Sequence, residues 1–110
     1  MKMPQNPTSP LYSTLASDPD LGEIVELFVG EMPNRVGSLR ERLGETDWEG
    51  LRRVAHQLKG AAGSYGFQPI TQMAASVEDS IRQAQPEEEI RRLVDELIAM
   101  CSSARAGLPE

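Results

Sequence analysis

Residues 47–66 read DWEGLRRVAHQLKGAAGSYG. Advanced at about 100° per residue, Leu51, Val54, Ala55, Leu58, Ala62 and Tyr65 gather within about 100° of arc, the stripe of a helix that packs one face on a core. Asp47 reads as the N-cap, since its short carboxylate can accept from a free N–H of the first turn. Gly50 stands where a capping box would need Glu or Gln, so no box forms. Gly66 reads as the stop.

The same period extends in both directions. Upstream, Asp18-Pro19 offers a cap followed by proline at the first helical position. Leu21, Ile24, Val25, Phe28, Met32, Val36, Leu39 and Leu43 then recur at helical spacing. Pro33 inside that run predicts a kink, and Gly44 an end. Downstream, Gln68-Pro69 opens a helix with Ile70, Met73, Ala74, Val77 and Ile81 inward. Pro86 opens another, with Glu87, Glu88 and Glu89 at the positive end of its dipole and Ile90, Leu93, Val94, Leu97, Ile98 and Cys101 as its stripe. No segment alternates with period two, and no internal repeat is present. The expected fold is all-α: an antiparallel up-down four-helix bundle over residues 11–104, with a short helical turn in LYSTLA, 11–16. Residues 1–10, with Pro4, Pro7 and Pro10, read as a disordered lead-in, and the chain is expected to fray from Ser102, with 105–110 as the tail.

The face of helix 47–66 opposite its apolar stripe is unusual. His56, the single histidine, falls there. Gly60 lies one turn beyond it and Gly63 two turns, while Lys59 and Arg52 flank the same side. Each glycine on an exposed helix face costs about 1 kcal/mol relative to alanine. Such a cost is understandable where a partner must approach the backbone. A histidine on a helix surface is nonetheless most often an ordinary solvated residue, and glycines also permit close helix–helix packing. Geometry alone leaves both readings open.

The segment Ala55-His56-Gln57-Leu58-Lys59-Gly60, with Gly66 further on, resembles the signature of histidine-containing phosphotransfer (HPt) domains, His-x-Leu-Lys-Gly followed by a later Gly. The likeness extends to Leu27-Phe28 with Glu31 and Pro33, to Asp47-Trp48, and to Ala74-Ala75 through Val77-Glu78, so that it covers roughly residues 11–101. The resemblance implies a four-helix bundle that accepts a phosphoryl group from a receiver aspartyl phosphate on His56 and passes it to another receiver. It implies attack through Nε2 of His56. It gives Lys59 the charge stabilisation of the phosphoryl group and Gly60 the steric clearance. Arg52, Gln57 and Gly63 are expected at the receiver-docking face, and Gly66 at the helix end rather than at the phosphate. Partners are response-regulator receiver domains, with a hybrid sensor histidine kinase as a further source. No cofactor is expected on this chain; Mg2+ belongs to the receiver.

Several classes are disfavoured. The formal charge of -6 lacks the basic footprint of a general nucleic-acid binder. There is no phosphate-binding Gly-rich loop, no His-Glu-x-x-His and no Cys/His cluster, so neither kinase or ATPase activity nor a metal site is expected. A di-iron bundle needs several inward Glu and His ligands and is rejected on the single outward histidine. One cysteine, Cys101, forms no internal disulfide, and no apolar run approaches membrane-spanning length. A monomeric cytoplasmic phosphocarrier is expected, the alternative being a helical interaction module that keeps the fold without phosphotransfer.

Overall fold

Apolar residues at helical spacing become helices throughout the computed structural model, which describes residues 10–107. The elements run β1 Leu11–Tyr12, α1 Gly22–Gly30, α2 Met32–Gly44, α3 Trp48–Ser64, α4 Gln68–Arg82, α5 Glu87–Ser102 and β2 Ala104–Arg105. The chain is mostly helical. Helix α2 packs on α3 and α5, α3 on α4, and α4 on α5, which closes a ring of four around the core. Leu39, Leu51, Leu58, Ile70, Val77, Val94 and Leu97 are its fully buried centre.

The first expected helix is two. Pro33 has no N–H and its ring would meet the carbonyl four residues back, so it is tolerated only in a first turn. The break accordingly falls at Glu31, and Pro33 opens α2. Asp18 does not cap α1. It organises the turn before it, with its Oδ1 accepting from Asp20 N at 2.8 Å. Leu21 takes the N-cap position with no side-chain bond. Within α1 the buried residues are Val25 and Phe28, and Ile24 faces outward, 39% exposed, although it shares the helical spacing of the core residues.

The ends of the bundle depart furthest from expectation. Leu11–Tyr12 is not a helical turn but a strand, paired in parallel with Ala104–Arg105. The chain therefore does not fray at Ser102: Ser103 and Ala104 are buried, and Leu11 N donates to Ser103 O at 2.9 Å. The rest of the expected lead-in and tail, residues 1–9 and 108–110, lies outside the described residues. Beneath the strap formed by residues 11–15, Phe28 stacks on Tyr65 and Phe67 with ring centroids 4.9 and 5.6 Å apart.

Three helices end in the same way, with a left-handed residue followed by an N–H that reaches back five residues. The left-handed residues are Thr46, Gly66 and Ala84. The reaching bonds are Asp47 N to Arg42 O, Phe67 N to Ala62 O and Gln85 N to Ser80 O. Thr46 and Ala84 tolerate that backbone, so φ alone does not demand glycine at 66. The strap supplies the second reason. Thr14 N donates to Gly66 O, and a Cβ at 66 would sit 3.0 Å from that nitrogen and collide with Ser13 Oγ.

Candidate functional site

Helix α3 begins where expected. Asp47 accepts from Gly50 N at 3.0 Å, and a Cβ at 50 would collide with that carboxylate as it is placed here. The buried face of α3 is Leu51, Ala55, Leu58 and Ala62. This phase leaves His56 on the outside, its side chain 57% exposed.

The outer face is not open on both sides. Helix α4 runs along one flank of it and brings Glu78 to the imidazole. Glu78 Oε2 lies 2.8 Å from His56 Nδ1. Seven residues back along α4, Thr71 Oγ1 donates to Lys59 O at 2.9 Å. A Cβ at Gly63, seven residues beyond His56, would come within 3.2 Å of the same hydroxyl. Gly63 therefore serves the close approach of α3 and α4. At Gly60 the same construction meets nothing within 4 Å, so the space beyond His56 is open.

Glu78 is 1% exposed and is the only charged residue among the buried ones described. A carboxylate so placed requires compensation, and four basic side chains converge on it. Besides His56 Nδ1, Lys59 Nζ lies 2.8 Å from Oε1, Arg82 Nη2 3.1 Å from Oε2, and Arg52 Nη1 3.9 Å from Oε2. The Lys59 contact is an ion pair without hydrogen-bond alignment. Burial pushes the Glu78 carboxyl up, but the close contacts and charges of Lys59 and His56 outweigh it and hold the group below the usual carboxylate range. Glu78 is thus anionic near neutral pH and can only accept. Nδ1 must donate to it, which leaves the lone pair of a neutral imidazole on Nε2 at the outer edge of the ring.

The expected site residues divide accordingly. His56, Lys59 and Arg52 meet around Glu78, with Gly60 open beside them. Arg52 is shared: Glu49 Oε1 accepts from its Nε at 3.2 Å, and Glu49 Oε2 pairs with Nη2. Gln57 is exposed but turned away, lining a groove between α2 and α3 with Glu31, Asn34, Arg35, Ser38 and Val54. Glu78 and Arg82 were not among the candidates. The signal for Glu78 was its register: it lies four residues after Ala74 and three before Ile81, a charge on the apolar stripe of α4. Among the described residues no group of three or more His, Cys, Asp or Glu side chains is arranged to hold a metal ion, and no helix is long and apolar enough to cross a membrane.

Comparisons with known proteins place the chain in a family. The chain is 27% identical over 79 residues to phosphorelay protein LuxU of Vibrio harveyi, a match covering 72% of this chain and 68% of that protein. No solved structure matches the chain. The family model described as Hpt domain matches residues 23–107. A match that runs from the first turn of α1 to the last described residue makes this chain a member of the Hpt domain family.

Proposed function

We propose that this protein is a phosphocarrier of a two-component phosphorelay, which takes a phosphoryl group from a receiver aspartyl phosphate onto His56 Nε2 and yields it to another receiver. The observation that carries the reading is the exposed imidazole whose inner nitrogen is held by a buried carboxylate. Membership of the Hpt family and similarity to a phosphorelay protein support it.

The chemistry follows from the tautomer. The Nε2 lone pair forms the P–N bond as the P–O bond to the receiver aspartate breaks, and the electron pair leaves with that carboxylate. Nδ1 keeps its proton throughout, so no base is needed. The phosphorylated ring carries positive charge, which the Glu78 carboxylate stabilises. Return transfer retraces the same path. Phosphoryl transfer passes through a loose, in-line transition state in which positioning and charge neutralisation dominate. Lys59 supplies a cation beside the phosphoryl oxygens, and Gly60 admits the receiver. Mg2+ is carried by the receiver, and this chain has no ATP-dependent activity of its own. The protein works as a cytoplasmic monomer.

The antiparallel up-down course of the bundle is part of the same reading. Contacts along α3 and α4 run in opposite directions, Gly63 against Thr71 and His56 against Glu78. The connections at 45–47, 65–67 and 83–86 are short, as antiparallel neighbours require. Incubation with a phosphorylated receiver tests the function. The expected product carries an acid-labile, alkali-stable label that His56→Gln abolishes; a label that survives in the variant refutes the assignment.

A further inference from the structure

The cations around Glu78 are not equivalent. Lys59 alone stands against Oε1, while Arg82 and Arg52 stand against Oε2. Lys59 is also three residues beyond His56 on the same helix, with its side chain 35% exposed and its ammonium on a flexible stem. A phosphoryl group on Nε2 brings about two negative charges to this place and attracts that ammonium more strongly than a single carboxylate does. Yet Lys59 cannot leave without consequence. Glu78 is almost wholly buried, and a buried carboxylate stripped of its counter-ions is strongly destabilising.

We infer that Arg82 is the counter-ion that frees Lys59 from Glu78 when His56 is phosphorylated, which makes it a positioning residue for the reaction. The inference rests on the phosphocarrier reading above. Arg82 lies one turn after Glu78 on α4, 3.1 Å from Oε2, and 58% of its side chain faces solvent. It can hold Glu78 without itself being desolvated, and it can follow the carboxylate when Lys59 departs. Arg52 is poorly suited to the task. It sits 3.9 Å from Oε2, and its Nε and Nη2 are already engaged by Glu49. In the resting protein the ammonium of Lys59 therefore lies on Glu78. In the phosphorylated protein it lies on the phosphoryl oxygens, while Arg82 keeps Glu78 paired and Glu78 keeps Nδ1–H oriented.

Phosphoramidate provides a test that needs no partner protein. Its P–N bond breaks with loss of ammonia as the P–Nε2 bond forms. The wild type, Lys59→Ala, Arg82→Gln, Arg82→Lys and the double variant Lys59→Ala/Arg82→Gln are phosphorylated in this way, and the phosphohistidine half-life is followed. The Lys59 side-chain resonances are recorded before and after. Arg82→Gln is expected to shorten the half-life roughly two- to fivefold, the scale of one partly exposed ion pair. It should also suppress the shift of the Lys59 resonances on phosphorylation, and Arg82→Lys should restore both. Lys59→Ala should have a smaller effect in the Arg82→Gln background than alone. A merely structural Arg82 would lower the melting temperature without altering the Lys59 response. Labelled wild type with an unchanged half-life and Lys59 response in Arg82→Gln, or with simply multiplicative effects of the two substitutions, overturns this inference alone. Failure of phosphoramidate to label His56 in the wild type overturns the phosphocarrier reading and this inference with it.

Discussion

His56 Nδ1 and Glu78 Oε2 lie 2.8 Å apart, on helices α3 and α4, with the imidazole half in water and the carboxylate almost wholly out of it. The pair gives the histidine a fixed inner nitrogen and a free outer one. Removing the carboxylate should therefore change the ring before it changes the fold. In Glu78→Gln the imidazole is expected to populate both neutral tautomers, visible as altered 15N shifts, and to be phosphorylated more slowly. Retention of a single Nδ1–H tautomer would show that Glu78 does not set it.

The same carboxyl couples stability to pH. Its folded value lies below the ordinary value of 4.5 because the Lys59 and His56 contacts outweigh the opposing effect of burial. A depressed acid contributes stability that is fully present above the unfolded value and is lost as pH falls through the folded one. Glu78→Gln should be less stable than wild type at pH 7 by about 1–3 kcal/mol, because three cationic side chains lose their buried acceptor. The difference should shrink as pH falls below the usual carboxylate range. Denaturant titrations at pH 7 and in acid measure it; a difference independent of pH would deny the linkage.

Three glycines that look alike in the sequence should respond differently to alanine. Gly60→Ala meets open space and should raise stability by up to about 1 kcal/mol through helix propensity. Gly63→Ala presses on Thr71, the residue that bonds the Lys59 carbonyl, and should lose most or all of that gain. Gly66→Ala combines φ +84° with a collision against the strap and should cost about 2 kcal/mol or more. Melting temperatures in the order Gly60→Ala, Gly63→Ala, Gly66→Ala, highest first, are expected. A strongly destabilised Gly60→Ala would mean that the face beyond His56 is packed rather than open.

Much of this was legible in the sequence, and what was not has a physical reason. The stripe on α3 fixes the phase of the helix, and with it the exposure of His56 and the placing of Lys59 and Gly60 beside it. Phase alone does not tell which flank a neighbouring helix will cover. Gly63 lies two turns from His56 on the wheel, yet α4 covers it at Thr71. Glu78 was marked only by being a charge in an apolar register, and its partners come from α3, 19 to 26 residues earlier, as well as from its own helix. The pairing of Leu11–Tyr12 with Ala104–Arg105 joins opposite ends of the chain, and no local pattern encodes it. The proline kink was legible as a break, but spacing alone did not tell that Ile24 lies at the exposed edge of the α1 stripe.

Cys101 offers a check on the packing of α5 that is independent of the site. It is 1% exposed, and burial pushes its thiol up to about 12. A thiol neither ionised nor accessible is inert. The native protein should leave a disulfide reagent unreacted at pH 8 and react promptly once denatured, and no disulfide-linked dimer should accumulate in air. Prompt reaction in the native state would place Cys101 at the surface.

The central claim is that Glu78 holds Nδ1 and leaves Nε2 as the phosphoryl acceptor. Phosphorylation of 15N-histidine-labelled protein, read by 31P and 15N NMR, tests it most directly. The expected spectrum shows phosphorus coupled to Nε2 of His56, with a proton retained on Nδ1. Phosphorus bonded to Nδ1, or no phosphohistidine formed from either a phosphorylated receiver or phosphoramidate, would contradict the account.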